Sequence, residues 1–134
     1  MGPPAVQIVR LKIRPQFLKI AAKGKKTVRP TLVLQALRLS PADQAKAKRL
    51  ARATHGECAL YLGFTASKKV GNAVARNRAK RRLTAVSRDM LPTLGQPGWA
   101  YVAIARAAGV TAPFSQIEAD FKSALGALAQ PQGS

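Results

Sequence analysis

The stretch "LGFTASKKVGNAVARNRAKRRL", residues 62–83, joins an apolar run to a dense basic one through a Gly-containing turn. Its first residues close a strand predicted over 58–67, rich in aromatic and apolar side chains. From about Asn72 to Met90 the spacing predicts a helix. At about 100° per residue, Ala75, Ala79, Leu83, Val86 and Met90 fall on one arc, which makes that arc the core face. Arg76, Arg78, Lys80 and Arg81 spread over the remaining sides, with Asn77 among them, and Arg82 flanks the core stripe. These are five cations in seven positions, and no acid lies between Cys58 and Arg88. A solvated helix face normally mixes signs in i, i+4 pairs. This one has nothing to pair with, so the pattern points to an external polyanion. Arginine offers a planar fork for phosphate oxygens, lysine a point charge, and asparagine a bridge to phosphate, sugar or base edge. Lys68, Lys69 and the free amides at the helix start can also grip a phosphate, and Gly71 lets the backbone come close.

Outward from this stretch the chain alternates helices and strands. "RPQFLKIAAKG" reads as a short helix with Pro15 in its first turn and Gly24 at its end. "TLVLQALRL", residues 31–39, reads as a strand covered on both faces, and "TVRP" before it as a second or bent strand. Ser40, Pro41 and Asp43 open a helix over about 41–54 that carries Lys46, Lys48, Arg49 and Arg52. "WAYVAIA", 99–105, is another strand, and Pro92, Gly95, Pro97 and Gly98 end the basic helix before it. In "SQIEADFKSALGAL", Ser115 and Glu118 suggest a capping box, and Ile117, Phe121, Leu125 and Leu128 make an apolar stripe. A sheet with helices packed on it, an α+β fold, is the economical arrangement. No internal repeat breaks the 134 residues, which suit a single domain with its core over about 10–128 and loose termini.

Composition narrows the partner. Lys and Arg number 23 against five acids, Asp43, Glu57, Asp89, Glu118 and Asp120, for a net charge of +18. Solubility needs far less charge, so a polyanion is implicated. With 47% hydrophobic residues the chain has material for a core, unlike a disordered basic tail. No apolar run approaches the roughly 20 residues of a spanning helix. "MGPPAVQIVRLKIRP" lacks a signal peptide's apolar core and fits a myristoylation signal poorly, so a cytoplasmic, membrane-free protein is expected. Cys58 has no partner for a disulfide and reads as a small buried hydrophobe. His55 reads as a turn residue, Trp99 as core or rim. Catalytic and metal-binding residues are not expected: no carboxylate cluster, no Ser/His/Asp set and no zinc ligand set can be assembled.

The 62–83 stretch closely resembles the signature of the bacterial ribonuclease P protein subunit, a strand ending in "SKK-GNAV" that runs into a helix with "RNR-KR". The resemblance implies a small α/β sandwich like the second domain of a small-subunit ribosomal protein, in α-β-β-β-α-β-α order. It implies a left-handed βαβ crossover, against the usual hand, with the helix of 41–54 as an insertion. The implied activity is that of an accessory subunit of the endoribonuclease ribonuclease P. The chain would bind the catalytic ribonuclease P RNA in a 1:1 holoenzyme and the 5′ leader of precursor tRNA. The RNA would remove the leader with Mg2+ ions that it holds itself. Carried over residue by residue, Lys68, Lys69, Asn72, Arg76, Asn77, Arg78, Lys80, Arg81 and Arg82 would contact the RNA subunit, with Gly71 shaping the edge of that site. The leader would lie in a cleft between the first helix and the sheet, near Phe17, Lys19, Lys23 and Arg29. Ala21 and Leu32 stand where aromatics are common, which shifts leader binding from stacking toward charge. Phe17 fits either plain core packing or the cleft. A ribosomal or ribosome-assembly RNA-binding protein of similar fold, a major-groove DNA reader and a protein nuclease are the rival readings.

Overall fold

The computed structural model describes residues 7–53 and 59–129. The chain runs β1 (Gln7–Arg10), α1 (Arg14–Lys23), β2 (Lys25–Val28), β3 (Leu32–Arg38), α2 (Pro41–Ala51), β4 (Ala59–Thr65), α3 (Ala73–Leu94), β5 (Trp99–Ala105), α4 (Ala108–Thr111) and α5 (Phe114–Ala129). The five strands form one sheet in the order β1-β4-β5-β3-β2. β1 and β5 flank β4 in parallel, while β3 pairs antiparallel with both β5 and β2. β4, α3 and β5 therefore make the βαβ unit around the basic helix.

Strand alternation builds a core on each side of the sheet. Leu32, Leu34, Leu60, Leu62, Tyr101 and Ala103 face one way, against Ala79, Leu83, Val86 and Leu91 of α3 and Ile117, Phe121 and Leu125 of α5. Tyr61, Ala100 and Val102 face the other way, with Val9, Ile20 of α1 and Ala47 of α2. β3, β4 and β5 are thus covered on both faces, as the near-continuous apolar run of 31–39 predicts for β3.

Local chemistry sets the helix ends. Gly71 adopts φ +146, which side chains disfavour, and a Cβ there would sit 2.9 Å from that of Ala75. Asn72 follows as the cap of α3, its Oδ1 accepting from the Ala75 N–H at 2.9 Å. Ser40 caps α2 in the same way, accepting from the Asp43 N–H, with Pro41 in the first turn.

Four expectations are corrected. The sheet has five strands. Lys25–Val28 is the separate strand that "TVRP" allows, turned back on β3, and Gln7–Arg10 adds an unexpected edge too short to show a period. Pro92 does not end the basic helix, which continues to Leu94 and closes where the Gly95 N–H donates to the Leu91 carbonyl. Proline there costs only one hydrogen bond near an end that would fray, and the fully buried Leu91 anchors the turn. The last helix starts at Phe114, so Ser115 lies inside its first turn and forms no capping box. α4 was not foreseen. The inserted helix falls where expected, although it ends at Ala51. The expectations for His55, Glu57, Cys58 and the chain ends lie outside the described residues.

Candidate nucleic-acid interface

α3 presents two differently used cation sets. Asn77, Lys80 and Arg81, with Val74 and Thr84, line an open groove of about 530 Å³ on the outer side of the helix. Val74 is 75% exposed, an apolar side chain set beside charges. Lys68 and Lys69 stand exposed in a single 3-10 turn just ahead of the helix. No carboxylate among the described residues reaches ion-pair distance of Arg76, Arg78, Lys80, Arg81 or Arg82.

Arg78 and Arg82 point elsewhere. Arg78 Nε donates to the Val110 carbonyl at 2.8 Å. Arg82 Nη1 donates to the carbonyls of Gly109 at 2.8 Å and Val110 at 3.0 Å, and Nη2 donates to that of Ala112. The two guanidinium groups thereby satisfy the free carbonyls at the end of α4. Burial, and then the nearby charge of Arg78, pull the Arg82 pKa below the ordinary arginine value. Arg76 is half-buried, and its Nε has no hydrogen-bond partner among the described residues. The nine α3-side residues named from sequence therefore divide. Lys68, Lys69, Asn77, Lys80 and Arg81 are exposed side chains, Arg76 is half-buried, Asn72 is a cap, and Arg78 and Arg82 are fasteners within the fold.

On the opposite face of the sheet, Phe17 is half-buried with its ring on Gly63 of β4. A Cβ at Gly63 would come within 2.4 Å of Phe17 Cε1, so glycine is what admits the ring. Lys19 and Lys23 lie exposed on α1. Lys19 Nζ donates to Asp43 Oδ2 of α2 at 2.5 Å. Arg29 is not with them. Its Nε donates to Ser123 Oγ at 3.0 Å, which ties it to α5 on the other face of the sheet.

Three contacts escaped the sequence. Arg10 lies 4.7 Å from the Phe64 ring centroid, and burial, then the charge of Arg88, lower its pKa. Asp120 is buried on α5, where its Oδ2 accepts from the Thr31 N–H at 3.1 Å and hydroxyl at 2.7 Å. Asp43 meets Lys19 across a separation of 24 residues. Only the apolar setting of Asp120 hinted at the second; nothing local signals the first or the third.

Comparison with known proteins identifies the family. The family model described as Ribonuclease P matches residues 7–129. The ribonuclease P protein component of Ruegeria pomeroyi is 40% identical, the match covering 97% of this chain and 98% of that one. That of Paramagnetospirillum magneticum is 39% identical over 90% of this chain and 83% of its own. Among solved structures, the ribonuclease P protein of Staphylococcus aureus aligns with a TM-score of 0.69 at 21% identity, over 90% of this chain and 95% of that one. That of Thermotoga maritima aligns at 0.64 and 22%, over 92% and 98%. These two share the fold, and the reading as a ribosomal protein of similar fold gives way. With the match spanning both cores, the βαβ unit and the cation-bearing α3, this chain belongs to the ribonuclease P protein component family.

Proposed function

We propose that the outer groove of α3 binds the catalytic RNA of ribonuclease P and that the α1 face receives the 5′ leader of precursor tRNA. The observation that carries the first part is the groove of Asn77, Lys80 and Arg81, with Lys68 and Lys69 ahead of it and no carboxylate among the described residues to neutralise it. Lys80 and Arg81 supply phosphate contacts, Asn77 a ribose or base-edge contact, and Val74 an apolar surface for a sugar. Arg76 adds its outer donors from the flank. Arg78 and Arg82 act chiefly by holding α4, which keeps the C-terminal flank of that face in place.

On the α1 face, Phe17, Lys19 and Lys23 meet the leader. The ring of Phe17 keeps enough exposure to touch a base edge while its body packs on Gly63. Arg29, fastened to Ser123, belongs to the other side and is left out of the leader contacts. Chemistry stays with the RNA: the hydrolytic Mg2+ ions are assigned to it, and among the described residues no three His, Cys, Asp or Glu side chains gather to hold a metal. We place the chain in a 1:1 holoenzyme in the cytoplasm. No helix among the described residues is long and apolar enough to cross a membrane.

Reconstitution tests this reading. The protein, added to ribonuclease P RNA at low magnesium, should promote release of the 5′ leader from precursor tRNA, and protein alone should not. The double variant Lys80→Gln, Arg81→Gln should weaken RNA binding and flatten its salt dependence by roughly 0.7 in log–log slope per lost contact. Unchanged affinity and slope in that variant would remove α3 from the interface.

A further inference from the structure

The inserted helix α2 adds a feature that the α3 surface does not involve. Between α1 and α2 runs a groove of about 250 Å³. Ile20 and Leu39 line its apolar part and Pro15 one wall; Lys19 enters from α1, Asp43 and Lys46 from α2. The Asp43 carboxylate accepts from Lys19 Nζ at 2.5 Å. That hydrogen bond first, then the Lys19 charge, the Ser40 contact and the Lys46 charge, hold the Asp43 carboxyl below the usual range. Asp43 is thus an anion set between ammonium groups from two helices. The chain has five acids against 23 Lys and Arg, and placing one of them here is not needed to cap α2, because Ser40 already does so.

An anion bridged by two cations over an apolar floor is also the arrangement of a bound nucleotide: phosphate between the charges, sugar or base on the floor. We propose that this groove binds a phosphodiester of single-stranded RNA between Lys19 and Lys46, and that Asp43 occupies the phosphate's place in the free protein. The proposal rests on the reading that the α1 face takes the leader, and assigns to α2 a second wall of that track. Binding is an exchange. Asp43 releases Lys19 as the phosphate arrives and keeps the charge of Lys46 nearby. A lone anion gains little by displacing a tethered carboxylate of equal charge. A strand gains more, because its neighbouring phosphates reach Lys23 and the other cations of the face. Asp43 therefore lowers affinity for every anion by the same factor, and only a strand with further contacts along the face still binds well.

The test measures equilibrium binding of the reconstituted holoenzyme to precursor tRNA with its leader and to mature tRNA without one. Asp43→Asn should tighten precursor binding about two- to fivefold, the range of an exposed ion pair removed from competition. Lys46→Gln should weaken it by a similar factor, and neither change should alter binding of mature tRNA. If Asp43→Asn loosens α2 and lowers the melting temperature, Lys46→Gln decides alone, since Lys46 makes no hydrogen bond within the described protein. Unchanged precursor affinity in Lys46→Gln overturns the proposal whatever Asp43→Asn does. Should Lys19→Gln and Phe17→Ala then still weaken precursor binding, only the groove is lost and the leader reading stands. If they too leave it unchanged, the leader reading falls as well.

Discussion

Replacing Arg82 by alanine separates a fastener from a phosphate contact within one basic helix. The Arg82 guanidinium donates to three carbonyls, those of Gly109, Val110 and Ala112, and lies 6.0 Å from the Phe114 ring centroid. A hydrogen bond to a charged group contributes about 1.5–3 kcal/mol when well buried. This site is half-buried and water replaces part of what is lost, so the three together are worth about 2–3 kcal/mol. For a domain of this size that lowers the melting temperature by about 6–12 °C. Arg81 is exposed and faces the open groove, so Arg81→Ala should leave stability within about 0.5 kcal/mol. Urea unfolding followed by circular dichroism gives the midpoints. Filter binding to the RNA subunit, at a temperature where every variant is folded, gives affinity and salt slope. Arg82→Ala should shift the midpoint and Arg81→Ala the slope. Arg82→Lys should recover only part of the stability, because one ammonium cannot span three carbonyls as the fork does. If Arg82→Ala unfolds at the parent midpoint while its RNA affinity drops as far as that of Arg81→Ala, the fastening role is refuted.

Gly63→Ala would drive a methyl group into the Phe17 ring, with a Cβ 2.4 Å from Cε1. Overpacking of this kind costs about 1–3 kcal/mol, and adding Phe17→Ala should relieve it, so a denaturant double-mutant cycle should show coupling beyond about 0.5 kcal/mol. Additive losses would mean that the ring does not rest on that glycine. Asp43 should titrate below its ordinary value of 3.8 because of the Lys19 hydrogen bond, and Lys19→Gln should raise it. Since the folded-state pKa is depressed, the tie contributes above the unfolded aspartate value and fades as pH falls through the folded one. Carboxyl carbon shifts followed by NMR would measure both midpoints, and identical midpoints would exclude the pairing.

The strong periodic elements were legible in the sequence for a physical reason. α3 and the runs over 31–39, 58–67 and 99–105 carry their burial pattern in consecutive residues, and Ser40 announces α2 through local hydrogen-bond chemistry. β1 and α4 span four residues each, too few for a period to emerge. The charge density of residues 76–82 was visible, but its division was not. Arg78 and Arg82 are spent on carbonyls about 30 residues away, on an element without a sequence signal. Arg29 shares its charge with Lys19 and Lys23, but its turn projects it to α5. The contact of Asp43 with Lys19 joins two helices whose separate patterns are both ordinary. In each case the missing information was which elements meet.

The central strands β4 and β5, which carry no charged residue and are covered on both surfaces, form a septum between two crowds of positive charge. RNA strands side by side in water repel one another. Here one would be held on α3 and the other along α1 and α2, each with its own set of cations and neither competing for the other's. On the proposed reading, one small protein would serve as counter-ion to enzyme and substrate together, and loading either side would leave the opposite side charged and ready.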